Sequence, residues 1–152
     1  MTDEPSQENK TNRAVEDAAI AWVIEYEAEH GRVASDTRGR GAAGDVVSDD
    51  GRVIEVKAYG RTARGSDLWL ETRQFEEAKS NPDALHVYIV DNVRQGNPNL
   101  FQLIDLHGDL LARLLQRAKP HAYVTVPFPV ADYDAAIADA AAREQGEDDH
   151  LD

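Results

Sequence analysis

The sequence predicts an α/β fold, because segments with helical periodicity alternate with segments that have the periodicity of strands. Between residues 13 and 30, apolar residues recur at three- and four-residue spacing, as on one face of an amphipathic helix. Between residues 44 and 59, two runs rich in Val flank Asp50-Gly51, which is the pattern of a β-hairpin. A further apolar run over residues 85–92 is typical of a buried strand.

Each remaining element follows from local signals. The first helix ends at Gly31, since glycine commonly follows the last turn of a helix. A short strand over 32–35 then precedes the hairpin strands at 44–48 and 52–59. The elements predicted downstream are a strand over 67–71, a helix from an N-cap at Thr72 to about Ser80, strands over 85–92 and 100–104, a helix over 109–118 that ends before Pro120, a strand over 122–126 and a helix over 132–144.

The chain is long enough, at 152 residues, for one domain with a real core. We expect that domain to span residues 13–145, between a disordered polar N-terminus at 1–12 and a disordered acidic tail at 146–152. Trp22 and Trp69 stand at apolar-periodic positions, so both are expected to pack in the core.

The hairpin is the segment where chemistry is most expected. Side chains alternate across a strand, so Glu55 and Lys57 share one face of the second hairpin strand. The position of Asp45, on the first strand, depends on the turn. A two-residue turn would place Asp45 opposite Val56, on the other face.

A three-residue turn instead places Asp45 opposite Glu55, if Gly51 takes the left-handed conformation. We predict this turn, over Asp49-Asp50-Gly51. It brings two carboxylates and an ammonium together, as a divalent cation and a developing negative charge require. The alternative is structural: Asp45 caps a strand end, and Glu55 with Lys57 forms a charge pair on an exposed sheet.

The spacing of Asp45 and Glu55-Val56-Lys57 resembles the core of the PD-(D/E)XK nuclease superfamily. Further blocks stand in the same order along the chain, at residues 14–19, 72–78, 87–93 and 97–100. This order resembles the NO VEIN C-terminal domain, a branch of that superfamily, over about residues 13–110. The chain departs from the pattern at Ala42-Ala43-Gly44, where a bulky aromatic often precedes the aspartate, and at Phe75, where a polar or acidic residue is expected.

The resemblance implies a restriction-endonuclease-like core, in which helices flank a central mixed β-sheet. It also implies a phosphodiesterase that uses Mg²⁺ or Mn²⁺, with the ion held by Asp45, Glu55 and the main-chain carbonyl of Val56. Lys57 would orient the attacking water or stabilise the pentacovalent charge. Two more residues look like the superfamily's supporting groups, namely Glu16 on the first helix, which would act through water or a second ion, and Gln74 on the helix after the hairpin.

The net charge of -13 argues against a nucleic-acid partner, since phosphate binding normally draws on a surplus of basic residues. Its distribution weakens that argument. Residues 1–30 hold eight acids against two basic residues, and residues 131–152 hold eight against one. Residues 31–64 hold seven basic residues against five acids. We therefore expect nucleic acid, DNA more than RNA, to bind near the hairpin. The residues expected to contact it are Arg38, Arg40, Arg61 and Arg64.

These features predict a structure-selective or broadly acting nuclease, active in repair or in defence against foreign DNA. One alternative is a non-catalytic module of nuclease fold that serves as the binding or targeting part of a larger assembly. Another is an acidic mimic of DNA, which the concentration of acids at the two ends disfavours. A homodimer or a larger complex is compatible with the chain.

Several other classes of site are excluded. The chain has no cysteine, which excludes disulfides, thiolate zinc sites and a cysteine nucleophile. The five histidines show no H-x-x-x-H or H-E-x-x-H spacing for zinc, so we place most of them at the surface or the core edge. No apolar run approaches the ~20 residues of a membrane span, and the polar start does not resemble a signal peptide. A cytoplasmic location is expected.

Overall fold

The computed structural model describes residues 11–41 and 44–148. The chain divides into two compact units, of which the first ends at Ala118 and the second begins at Lys119. The elements of the first unit are α1 (Asn12–Glu29), β1 (Ala34–Asp36), β2 (Val46–Ser48), β3 (Val53–Ala58), α2 (Thr72–Ser80), β4 (Leu85–Asp91), β5 (Gln102–Leu106) and α3 (Gly108–Leu115), with single turns of 3-10 helix at Val93–Gln95 and Pro98–Leu100.

The five strands form one sheet in the order β1-β2-β3-β4-β5. The strands β3 and β4 run parallel, and the other neighbouring pairs run antiparallel. The predicted α/β class with a mixed sheet and flanking helices is therefore confirmed. All seven residues of β4 are buried, as expected for a strand covered on both faces.

The two faces of the sheet have separate cores. Helix α1 covers one face, where Ile20 and Val23 pack with Ile54, Val56 and Tyr88. Helices α2 and α3 cover the other face through a second set of buried residues, which comprises Ala78, Leu85, Val87, Ile89, Leu106 and Leu111. Because side chains alternate along β3, Glu55 and Lys57 point to the face that carries α2 and α3.

The turn of the hairpin has the predicted three-residue form. Val46 lies opposite Ile54 and Val47 opposite Val53, while Gly51 has a φ of 89°. The positive φ is the conformation that a glycine adopts without steric cost. The strand pairing ends at Val46. Just before it, the Asp45 N–H donates to the Ile54 carbonyl oxygen at 3.0 Å, and the Asp45 carboxyl lies beside that of Glu55.

Two predicted strands are wrong. Residues 67–71 have no strand conformation, and Trp69 is 72% exposed rather than buried in the core. This segment is held by Leu68, which packs on the α2 and α3 side, and not by a strand ladder. Trp22, by contrast, packs against the core on the α1 face as expected.

The second wrong strand, over residues 122–126, belongs to the second unit. Apart from this segment, the described part of that unit contains helix α4 (Val130–Asp148), so no neighbouring strand satisfies its backbone. Helix α4 runs past its expected end at 144 and carries an ion pair between Asp139 and Arg143 at 2.9 Å. No helix among the described residues is long and apolar enough to span a membrane. Of the two segments expected to be disordered, residues 1–10 and 149–152 lie outside the described residues.

Candidate functional site

The facing carboxyl groups of Asp45 and Glu55 form the centre of the candidate site. Glu55 lies in the middle of β3 and is only 4% exposed, while Asp45 is half-buried just before β2. The Val56 main-chain N–H donates to Asp45 Oδ2 at 2.9 Å. This bond fixes one side of the Asp45 carboxylate against the neighbouring strand.

Both acids have pKa values above their ordinary range. Burial raises the pKa of Asp45, an effect that the Val56 N–H opposes and the charge of Glu16 increases. Burial and then the charge of Asp45 raise the pKa of Glu55 to about 7, although Lys57 opposes the rise. Two desolvated carboxylates this close favour a shared proton or a cation over two free negative charges.

The side chain of Gln74 links the two functional residues of β3. Its Nε2 donates to Glu55 Oε2 at 2.8 Å, and its Oε1 accepts from Lys57 Nζ at 3.1 Å. The acid and the amine are thus held at a fixed spacing by one amide. The structure brings together Asp45, Glu55, Lys57 and Gln74 of the predicted site residues.

A capping box at the start of α2 places Gln74 at this point. The N-cap is Glu71, whose side chain accepts from the main chain of Gln74, while Gln74 Oε1 accepts from the Glu71 N–H at 3.1 Å. The expected N-cap at Thr72 is therefore wrong by one residue. The usual capping box starts with Ser or Thr, so Glu71 gave no clear signal in the sequence.

Gly44 explains the first departure from the family pattern. A Cβ at this position would lie 2.7 Å from Val53 Cγ1 and 3.0 Å from the Ile54 carbonyl oxygen. The chain beside Asp45 approaches β3 too closely for any side chain, so an aromatic residue has no room there. The second departure, Phe75, is half-buried on α2, with Lys79 Nζ 5.6 Å from its ring centroid.

Glu16 lies on α1 and is bound to Arg38 instead of to the residues of the hairpin. Arg38 Nη1 contacts Glu16 at 3.2 Å and Asp17 at 2.9 Å, and its Nη2 contacts Asp36 at 2.9 Å. The Asp36 hydrogen bond is the main reason that the pKa of Arg38 lies above its usual range. Arg38 thus forms ion pairs with three carboxylates. The sequence did not predict these ion pairs.

These four residues line a cavity of about 550 Å³ together with Arg13 and Arg40. Glu16 is half-exposed in it, and its charge contributes to the raised pKa of Asp45. Of the predicted nucleic-acid contacts, Arg40 is exposed on this side. Glu16 is therefore the residue of this cavity whose charge acts on Asp45.

A buried aspartate at the end of β4 anchors the loop with the other two predicted arginines. Asp91 is 3% exposed, and it accepts from the Ala63 N–H at 2.9 Å and from Thr62 Oγ1 at 3.2 Å. Arg61 and Arg64 are exposed on this loop. An acid that ends an otherwise apolar strand is the sequence signal that could have identified Asp91.

Arg94 is a further basic residue at the same loop that the sequence did not single out. Its N–H donates to the Gly60 carbonyl at 3.2 Å, and its guanidinium lies so close that a Cβ at Gly60 would meet Nε at 3.0 Å. The side chain is exposed. Arg61, Arg64 and Arg94 therefore form a group of exposed cations beyond the C-terminal ends of β3 and β4.

The comparisons with known proteins agree with the order of these blocks. The model of the family described as "Protein NO VEIN, C-terminal" matches residues 15–103, a span that includes the hairpin, α2 and β4. No curated protein and no solved structure shows a significant match to the chain. The family match covers more than half of the chain, and the chain therefore belongs to the NO VEIN C-terminal family.

Proposed function

We propose that this chain is a metal-dependent nuclease that hydrolyses phosphodiester bonds in nucleic acid, DNA more than RNA. The observation that carries the proposal is the facing pair of buried carboxyls, Asp45 and Glu55, with Lys57 held beside Glu55 by Gln74. In a purely structural charge pair, Lys57 would contact Glu55 directly and the carboxylate would be exposed. Here Glu55 is 4% exposed, and Gln74 separates it from the amine.

The carboxylate pair fits a hard divalent cation. Asp45, Glu55 and the carbonyl of Val56 would supply oxygen ligands, which Mg²⁺ and Mn²⁺ prefer. Burial raises both carboxyl pKa values, and the charge of Asp45 raises the pKa of Glu55 further. A cation would offset the negative charge of the ionised pair. Such an ion, when bound, supplies a Lewis acid and a more acidic water.

Lys57 supplies a fixed positive charge next to the pair. The Gln74 carbonyl oxygen accepts one of its three N–H groups at 3.1 Å, and the half-buried amine has further protons to donate. A pentacovalent phosphate gains negative charge on its way to cleavage, so a preorganised ammonium favours that state over the ground state. Gln74 is a positioning residue in this account, because it acts through Glu55 and Lys57.

The exposed arginines supply the contacts to the phosphate backbone. Arg61 and Arg64 lie on the loop that Asp91 fixes to the end of β4, and Arg94 follows β4 and contacts Gly60 at the start of that loop. Arg40 lines the cavity beside α1 together with Glu16. Exposed arginines can contact the phosphate backbone, and such contacts carry no sequence information. We therefore expect selection by shape instead of by sequence.

Calorimetric titration with Mn²⁺ tests the proposal at its first step. The full-length chain is expected to bind the ion, and Asp45→Asn or Glu55→Gln should abolish that binding, since each variant removes one of two ligand carboxylates while keeping the side-chain size. Glu76→Gln is the matched control, because Glu76 is an exposed acid of α2. Equal Mn²⁺ affinity in all four proteins would overturn the site.

A further inference from the structure

A second cluster of possible ligands lies near the start of β4, on the face of the sheet opposite to the one that carries Glu55. Asp105 Oδ1 contacts His86 Nδ1 at 2.8 Å and His107 Nδ1 at 3.1 Å. The two imidazole rings are stacked, with centroids 4.5 Å apart and an interplanar angle of 24°. Two ring nitrogens and one carboxylate oxygen therefore converge on one point.

The fold itself brings these residues together, although His86 and His107 are far apart in the sequence. In the antiparallel pairing of β4 with β5, Val87 lies opposite Leu106 and Tyr88 opposite Asp105. Continued by one residue, this register places His86 opposite His107. All three side chains then project from the sheet face that α1 covers, because Tyr88 packs on that face and side chains alternate along a strand.

The three side chains differ in exposure in a way that suits a bound ion. The side chain of His86 is 7% exposed, that of Asp105 27% and that of His107 52%. The cluster is therefore buried at His86 and open to solvent at His107. A cavity of about 290 Å³ borders His86 and is also lined by Asp50, Arg52 and Asp83. Its two carboxylates outnumber its one guanidinium, which favours the approach of a cation.

We propose that His86, Asp105 and His107 bind a borderline transition-metal ion of the Zn²⁺ class. The three donor atoms lie within 4.8 Å of one another, and donors in a tetrahedral zinc site stand about 3.3 Å apart for bonds of about 2.0 Å. Two imidazoles and one carboxylate are a ligand set for zinc and its neighbours, whereas Mg²⁺ prefers oxygen alone. Three protein ligands leave a fourth position for water.

Metal binding requires a change of tautomer in both rings. A carboxylate oxygen only accepts hydrogen bonds, so each Nδ1 in contact with Asp105 would carry the ring hydrogen when no ion is bound. A ligand Nδ1 carries no proton, so each ring must hold its hydrogen on Nε2 when the ion is bound. Asp105 then changes from an acceptor of hydrogen bonds to a ligand. The ion would cross-link β4 to the segment between β5 and α3.

Calorimetric titration of the full-length, chelator-treated chain with Zn²⁺ tests this site. We expect one zinc site in the parent chain and an affinity at least ~10²-fold lower in His107→Ala and in Asp105→Asn, since losing even an outer-shell partner of a ligand costs 10–100-fold. His107 is used because it is half-exposed, so its replacement spares the core. His30→Ala is the control, because His30 is exposed and its Nδ1 contacts the Tyr26 carbonyl oxygen at 2.8 Å.

The carboxylate pair needs a separate control, because zinc also binds carboxylates. The double variant Asp45→Asn with Glu55→Gln is expected to keep the zinc site, and excess Mg²⁺ should leave the parent's isotherm for that site unchanged. Zinc binding that survives His107→Ala and Asp105→Asn undiminished would overturn the proposal. So would zinc binding that the double variant abolishes, or a parent chain that binds no zinc.

Discussion

The Gln74 amide donates to Glu55 Oε2 at 2.8 Å, and this bond joins helix α2 to the buried acid of β3. The same amide accepts from Lys57 and from the Glu71 N–H. One side chain therefore caps a helix and also sets the distance between an acid and an amine. A site held in this way needs little rearrangement when a charged ligand arrives.

Replacing Gln74 by Ala should raise the pKa of Glu55 above about 7. A hydrogen bond donated to a carboxylate favours its charged form, and this variant removes it. Glu71→Gln should shift the pKa in the opposite direction, since the charge of Glu71 is among the causes of the rise. An NMR titration of the Glu55 carboxyl carbon measures both shifts. Shifts of the same sign in the two variants would contradict this account of the site.

The raised pKa of Glu55 should make the metal-free protein less stable as the pH rises. Between the ordinary value of 4.5 and about 7, the native state holds a proton that the unfolded chain has already released. Stability is therefore fully present below 4.5, falls through that window and levels off above 7. The shift corresponds to a loss on the order of 3 kcal/mol.

Urea denaturation at pH 4.5 and pH 8 measures this loss. Glu55→Gln cannot ionise at this position, so its stability should exceed that of the parent at pH 8 and show a smaller fall between the two values. Asp45 also has a raised pKa, so a part of the fall in stability should remain in the Glu55→Gln variant. A variant with the same pH dependence as the parent would show that Glu55 titrates normally.

Gly44→Ala should destabilise the fold and displace Asp45. The added Cβ would meet Val53 Cγ1 at 2.7 Å and a main-chain oxygen at 3.0 Å, and such overpacking typically costs about 1–3 kcal/mol. Gly146→Ala is the matched control, since a Cβ at Gly146 meets nothing within 4 Å. Thermal unfolding of both variants should show a loss of stability in the first alone.

Arg61→Ala with Arg64→Ala should weaken nucleic-acid binding and reduce its salt dependence. Each lost phosphate contact lowers the log-log slope by about one unit. Arg113→Ala is a suitable control, because this exposed arginine lies on α3, outside the loop that Asp91 anchors. Fluorescence anisotropy with duplex DNA at several salt concentrations gives the slope. Unchanged binding in the double variant would remove this loop from the interface.

The hairpin was predictable because its signals are local. The spacing of Asp45 and Glu55 is settled by one turn, and Gly51 is the residue in that turn that takes a positive φ most easily. The long α1 was predictable from its apolar period for the same reason. Gln74 was found through the resemblance, but its capping role needed the structure, since Glu71 is an uncommon N-cap.

The remaining errors come from contacts between distant parts of the chain. Residues 67–71 have the composition of a strand, but whether a segment pairs depends on the strands beside it. Of the three carboxylates around Arg38, Asp36 is a near neighbour in the sequence, but Glu16 and Asp17 come from α1. No local pattern therefore marks the set of three. The His86 and His107 rings meet because β4 and β5 run antiparallel. A zinc motif defined by the spacing of ligands within one segment does not detect two histidines on different strands.

Single-turnover cleavage of labelled duplex, single-stranded and branched DNA with Mn²⁺ tests the central proposal most directly, through Lys57. In a nuclease, Lys57→Ala should leave Mn²⁺ and DNA affinity within a few-fold of the parent, while cleavage falls by ~10²-fold or more. Lys57→Arg should restore little of it, because a guanidinium is larger and disperses its charge. A binding module without catalysis would cleave no substrate in any of these proteins. Equal cleavage by the parent and Lys57→Ala, or no cleavage by the parent, would contradict the proposed function.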